Sequence, residues 1–72
     1  MATVLHIVKG DAPLAAEVIS AQAAAGDVVT VAILEGDPPR VPAGVIVRRL
    51  DADLTYPELI DLIFEAEQVI PW

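Results

Sequence analysis

The seven residues between Asp27 and Glu35 are apolar except for Thr30. A strand with one exposed face alternates apolar and polar residues, because successive side chains point to opposite faces of the sheet. This run does not alternate, so it predicts a strand that is covered on both faces, as in the middle of an α/β sheet. We therefore expect Val28–Leu34 to be the central strand.

A first strand, Thr3–Val8, is followed by a turn and then by a helical pattern. Asp11 is suited to cap the start of the helix, with Pro13 in its first turn, where a missing N–H costs little. Gly26 stands where a left-handed C-terminal cap is expected. Apolar residues recur at helical spacing and predict the buried face: Leu14, Val18, Ala21 and Ala25. The pattern predicts a β-α-β unit, whose crossover is right-handed in nearly all proteins.

The next connection, Glu35–Ala43, contains three prolines and no helical pattern. A third strand follows at Val45–Leu50. A parallel crossover normally takes a dozen or more residues, so this short connection suits either a wide hairpin or an extended crossover across one face of the sheet. Both arrangements omit a helix that would cover a sheet face, so we expect exposed apolar surface.

Thr55 and Glu58 have the spacing of a capping box and predict a helix from Tyr56 to Gln68. Apolar side chains spread over about 200° of this helix, more than the ~100° stripe that covers one core. The order of the elements predicts a small β-α-β-β-α sandwich with a largely parallel, Rossmann-like sheet. Residues 1–72 are expected to form a single domain.

Apolar residues are unusually frequent for so short a chain: 56% are hydrophobic, and the mean hydropathy is +0.61. A domain of this size buries only about 60% of the surface that its unfolded chain exposes. The excess predicts a subunit interface with a second copy or a related chain. The residues expected in this interface are Tyr56, Ile60, Phe64, Ile70 and Trp72.

The net charge of −7 makes nucleic acid an unsuitable direct partner, because phosphate binding requires a basic surface. Apolar runs are far shorter than the ~18 residues of a membrane span, and Met1–Thr3 lacks the basic start of a signal peptide. We therefore expect a cytoplasmic protein. The chain has no cysteine, so disulfides, thiolate metal sites and persulfide chemistry are excluded from it.

Candidate chemistry is sparse, and we expect no catalytic residue, metal or cofactor. His6 is either a general base or ligand contact, or a strand histidine that holds a hydrogen bond; no nucleophile or carboxylate stands at a motif spacing from it. Lys9 and Gly10 lead toward a helix N-terminus, where α/β folds bind anions, but no phosphate-loop motif is present. Acidic residues on the last helix provide either cation ligands or a solvated face: Glu58, Asp61 and Glu65. Arg48 and Arg49 either bind an anion or neutralise nearby acids.

Leu5–Pro13 reads Leu-His-Ile-Val-Lys-Gly-Asp-Ala-Pro. This segment resembles the opening strand of the DsrH/TusB family, which carries Leu-His before a turn. Tyr56–Leu62 resembles the closing helix of the family, Tyr-x-x-Phe-Val-x-Leu. Trp72 lies as far from Tyr56 as the terminal Trp of family members lies from their Tyr, and Asp51–Asp53 resembles the family's acidic turn.

This resemblance implies a small, non-catalytic subunit of a DsrE/F/H-like assembly, in which other chains relay persulfide sulfur for tRNA thiolation or sulfur oxidation. The chain departs from the family in being shorter, and in lacking the middle helix, an Ala-Arg-Gly segment and the cysteine that some members carry. The implied role is therefore assembly of the complex rather than sulfur transfer. A small-ligand or anion-binding α/β module, unrelated to sulfur, is the alternative; its expected contacts are His6, Lys9 and Gly10.

Overall fold

The computed structural model describes residues 2–10 and 12–72, which form one four-stranded sheet with two helices. The strands are β1 (Thr3–Lys9), β2 (Val28–Glu35), β3 (Ile46–Arg49) and β4 (Gln68–Pro71), and the helices are α1 (Ala15–Ala24) and α2 (Tyr56–Glu65). All strand pairs are parallel, in the order β3-β2-β1-β4. The predicted small α/β sandwich with a parallel sheet is confirmed, and β4 is a further strand that the sequence did not predict.

Strand β2 lies inside the sheet, between β1 and β3, as its unbroken apolar run predicts. Five consecutive residues, from Val29 to Ile33, are buried, including Thr30. The sheet is covered on both faces because its connections run in two directions. The connections from β1 to β2 and from β2 to β3 step one way across the sheet, and α2 leads back across it to β4. Right-handed crossovers then require α2 to lie on the face opposite α1.

Two separate apolar clusters fill the two faces. The cluster under α1 contains Val8, Ala15, Ile19, Val29, Val31 and Ile33. The cluster under α2 contains Leu5, Ala32, Leu54 and Leu59. The Pro-rich connection contributes Val41 and Val45 to the α1 side. Since β2 and β3 are parallel, this connection is an extended crossover and not a hairpin, and it packs on the same face of the sheet as α1.

Helix α1 begins later than the sequence predicted, and it turns a different face inward. Pro13 lies in the turn before the helix, and Asp11 lies outside the described residues, so its capping role stays a prediction. Ala15 and Ile19 are buried, whereas Leu14 is 62% exposed. The predicted face was wrong. Small apolar residues lie on all sides of this helix, so several faces fit the spacing, and the large side chain of Ile19 determines which face is buried.

The end of α1 is as predicted. Gly26 has a φ of 91°, the left-handed conformation that glycine adopts without cost. The N–H of Gly26 donates to Ala23 O at 3.1 Å, and that of Asp27 donates to Gln22 O at 3.1 Å. These two bonds form a Schellman motif, which satisfies carbonyl groups that the helix end leaves free.

Helix α2 begins with the predicted capping box at Thr55 and Glu58. It ends at Glu65 and not at Gln68, because Ala66 has an extended backbone. The next residues form β4, which pairs with β1 from Val4↔Gln68 to Ile7↔Pro71. The apolar tail that the sequence left unassigned is therefore an edge strand of the chain's own sheet.

Candidate functional site

His6 is fully buried in the middle of β1, on the face covered by α1. Its Nε2 lies 2.5 Å from Gln22 Oε1, and its Nδ1 accepts a hydrogen bond from Trp72 Nε1–H at 2.9 Å. The indole N–H can only donate, so Nδ1 carries no proton in this arrangement. His6 is therefore the neutral tautomer with its proton on Nε2, donated to Gln22.

Trp72 closes this cluster from the end of β4. Its indole ring is stacked on the His6 ring, with centroids 6.1 Å apart and planes inclined by 16°. Its backbone N–H donates to Ile7 O at 2.8 Å, which extends the pairing of β4 with β1 by one residue. Trp72 also packs against the apolar cluster under α1. The backbone pairing, the indole hydrogen bond and the ring contact together hold the Trp72 side chain over His6.

The three residues predicted to contact a ligand are not brought together. Both ring nitrogens of His6 make hydrogen bonds, and the side chain has no exposed surface. Of the two roles considered for His6, it therefore has that of a strand histidine that holds hydrogen bonds. Lys9 is exposed at the end of β1. The N–H of Gly10 donates to Glu35 O at 2.9 Å and ties the ends of β1 and β2 together. Ligand contact by Lys9 or Gly10 stays a prediction.

A shallow cleft lies beside this end of β1, between α1 and the Pro-rich connection. Its volume is about 290 Å³. The lining is mostly apolar, with one acid and one base: Val8, Ala12, Pro13, Ala16, Asp37, Pro38, Pro39 and Arg40. It is located at the carboxyl ends of parallel strands, where open α/β sheets bind ligands. The cleft includes none of the predicted ligand residues, because His6 lies deeper in the sheet.

Both arginines that follow each other on β3 have partners within the chain. Arg48 Nη2 lies 3.1 Å from Glu58 Oε2, and Arg48 also donates to the carbonyl of Asp53. Arg49 Nη2 donates to Gly36 O at 2.5 Å. Arg48 therefore neutralises Glu58, which is one of the two alternatives given for the arginine pair. Arg49 binds the first residue of the connection that follows β2.

The acidic residues of α2 are not equivalent. Hydrogen bonds from the backbone and side chain of Thr55, together with Arg48, hold the pKa of the Glu58 carboxyl below its usual range. Glu58 thus serves the helix start, and its oxygens are engaged there. Within residues 2–10 and 12–72, no group of three or more His, Asp or Glu side chains is placed to hold a metal ion.

The predicted interface divides into an exposed part and a partly buried part. On α2, Tyr56 is 62%, Ile60 51% and Phe64 84% exposed. Ile63 lies beside them and is 37% exposed. We call these four residues the outer stripe. Ile70 and Trp72 are half-buried in the chain's own sheet, so the exposed part of the predicted interface lies on α2, and a role of these two residues in association stays a prediction.

Comparison with protein-family models, with curated proteins and with solved structures finds no match for this chain. Within the part of the chain that the structure describes, no helix is long and apolar enough to cross a membrane.

Proposed function

We propose that this chain is a non-catalytic, DsrH/TusB-like subunit that helps to assemble a sulfur-relay complex. The observation that carries the proposal is the outer stripe of α2. Its three most exposed members stand at intervals of four, which places them along one side of a helix: Tyr56, Ile60 and Phe64. The opposite side of α2 already packs on the sheet through Leu59 and Leu62. A helix that is apolar on two sides has a second surface to cover.

The composition of the outer stripe suits a protein partner. Two of its four members are aromatic, and aromatic anchors are among the side chains that most often dominate interfaces. Full burial of one large apolar side chain contributes on the order of 1.5–3 kcal/mol. Several such side chains are required, because association itself costs an estimated ~4–15 kcal/mol. The outer stripe offers Tyr56, Ile60, Ile63 and Phe64 together.

Sulfur chemistry in such a complex belongs to the partner. A persulfide is carried on a cysteine thiol, and this chain has no cysteine. The resemblance of the Leu5–Pro13 and Tyr56–Leu62 segments supplies the kind of partner, a DsrE/F-like subunit that carries the cysteine. A role in tRNA thiolation or cytoplasmic sulfur oxidation is part of this proposal, with RNA contacts made by other subunits because the chain carries a net charge of −7.

Affinity purification of the tagged chain from its native cell tests the proposal. The wild-type chain is expected to retain a cysteine-bearing DsrE/F-like protein, identified by mass spectrometry, and Phe64→Ala to retain much less. Leu14→Ala is the matched control, because Leu14 is also 62% exposed but lies outside α2. Purification without any DsrE/F-like chain would contradict the sulfur-relay role. Equal retention by Phe64→Ala would contradict the outer stripe as the interface.

The cleft beside β1 favours a second candidate, a module that binds a small ligand or anion. Arg40 supplies a positive charge at the cleft, beside the acid Asp37, and the apolar lining would accept the remainder of a small organic acid. Titration with acetate or inorganic phosphate, followed by the amide resonances of Ala12 and Ala16, tests it. Saturable shifts that Arg40→Ala abolishes would support this candidate. Shifts unchanged in that variant would contradict it.

A further inference from the structure

One of the contacts that hold Trp72, the hydrogen bond of its indole, depends on the protonation of the His6 ring. The indole N–H donates to His6 Nδ1 at 2.9 Å, and that bond requires a lone pair on Nδ1. A proton on Nδ1 would place two donors against each other in a buried site. The other nitrogen has no such conflict, because Gln22 Oε1 accepts from Nε2–H in both charge states.

We propose that His6 and Trp72 form an acid-sensitive latch: protonation of His6 releases Trp72 and the β4 strand from the edge of the sheet. Histidine is the side chain whose charge ordinarily changes between about pH 5 and 8. A buried imidazolium needs hydrogen-bond acceptors for both of its N–H groups. The Nδ1–H can find one in water only when Trp72 moves away. The latched form thus binds one proton fewer than the open form, so a fall in pH favours opening.

The position of β4 makes local release cheaper than unfolding of the domain. It has four residues, lies at the edge of the sheet, and is bonded to β1 alone. Its flanking contacts are the backbone bonds from Glu67 N to Thr3 O and from Trp72 N to Ile7 O. The six buried members of the cluster under α1 belong to β1, α1 and β2, so none of them lies on β4. Release therefore uncovers His6 and one edge of β1 while the remaining three strands stay paired.

No ion pair to His6 is found in residues 2–10 and 12–72. The elements around His6 are α1, β2 and β4, and their charged side chains are Glu17 on α1 and Glu35 on β2, with Glu67 just before β4. Lys9 is the charged residue of β1 itself. Within the described residues the one salt bridge joins Arg48 to Glu58, so His6 has no carboxylate partner. In the described part of the chain, the side chains hydrogen-bonded to the His6 ring are those of Gln22 and Trp72.

The chain contains one tryptophan, so its fluorescence reports directly on the latch. Between about pH 8 and pH 5, the emission of Trp72 is expected to move toward that of a water-exposed indole, while far-UV circular dichroism keeps its helical signal. The ratio of open to latched molecules rises by at most about tenfold per pH unit, as the binding of one proton requires. His6→Gln offers an amide oxygen to the indole and does not titrate, so its emission is expected to stay constant over this range.

Nuclear magnetic resonance of the wild-type chain tests the same device without a variant. The Trp72 indole N–H and the His6 ring resonances are expected to change with one midpoint, with loss of protection at the Trp72 and Glu67 amides and retained protection in β2. Emission that does not change with pH would overturn the latch. So would an equal pH response in His6→Gln, or loss of β2 protection together with that of Trp72. This device is independent of the outer stripe, and its failure leaves the proposed subunit role untouched.

Discussion

Thr55 and Glu58 satisfy each other at the start of α2. The Glu58 N–H donates to Thr55 Oγ1 at 3.3 Å, and the Thr55 N–H donates to Glu58 Oε1 at 3.0 Å. We expect Thr55→Ala to lower the free energy of unfolding by about 1 kcal/mol, the usual cost of losing an N-cap. Thr55→Ser keeps the acceptor oxygen and should unfold close to wild type. Denaturant midpoints of the three proteins decide it, and an unchanged Thr55→Ala midpoint would show that the cap is not needed.

The Glu58 carboxylate makes this helix start dependent on pH. Hydrogen bonds from Thr55, and then Arg48, lower the pKa of Glu58 in the folded chain. A lowered folded-state pKa means that the carboxylate stabilises the fold above its unfolded pKa and loses that contribution as the pH falls through the folded value. The midpoint difference between wild type and Glu58→Gln should therefore shrink in acid. A constant difference from neutral to acidic pH would contradict this role.

Two physical requirements favour glycine in this chain, a positive φ and a close backbone contact, and Gly36 and Gly44 allow their costs to be compared. Both have positive φ, 88° and 94°. A Cβ on Gly36 would lie 3.2 Å from Gly10 Cα, whereas a Cβ on Gly44 would meet nothing within 4 Å. Gly44→Ala should cost about 1–2 kcal/mol from backbone strain alone, and Gly36→Ala should cost more, because the ends of β1 and β2 must also separate. Equal losses of stability in thermal unfolding would mean that the backbone at Gly10 can move aside for a Cβ at Gly36.

At the scale of elements, β4 shows what a local pattern does not contain. Gln68–Pro71 is four residues long and ends in proline, which is tolerated at a sheet edge and rarely elsewhere in a strand. Its pairing partner is β1, more than sixty positions earlier. The long apolar run of β2 needed no such partner to be recognised, and neither did the capping box of α2. The His6–Trp72 contact could not be predicted for the same reason, since only β4 brings the two residues together.

Two adjacent residues of α2, Leu59 and Ile60, allow the contribution of the helix to folding to be measured apart from its contribution to association. Leu59 is 7% exposed and packs on the sheet, whereas Ile60 is 51% exposed. Leu59→Ala should lower the free energy of unfolding by about 2–5 kcal/mol, as for other large-to-small changes in a core. Ile60→Ala should change it by no more than about 0.5 kcal/mol. Urea unfolding of both variants measures this, and a comparable loss at Ile60 would place the outer stripe inside the core of the domain.

The whole molecule combines an apolar helix face with a net charge of −7. Acidic residues adjoin the outer stripe on one side of α2, at Asp61 and Glu65. Two copies that meet through this surface bring like charges together, whereas a partner with a basic border meets no such repulsion. Charge therefore opposes self-association through the outer stripe at low ionic strength.

Salt measures the balance between these two forces in the isolated chain. Repulsion between exposed charges is screened over about 10 Å at 0.1 M salt and about 3 Å at 1 M, whereas the burial of apolar surface is not weakened by screening. We expect sedimentation at micromolar concentration to show more self-association at high salt than at low salt. Phe64→Ala should reduce it, because Phe64 is 84% exposed and is the most exposed member of the outer stripe. Leu14→Ala, on the other helix, should not. A chain that stays monomeric at both salt concentrations would contradict self-association through the outer stripe.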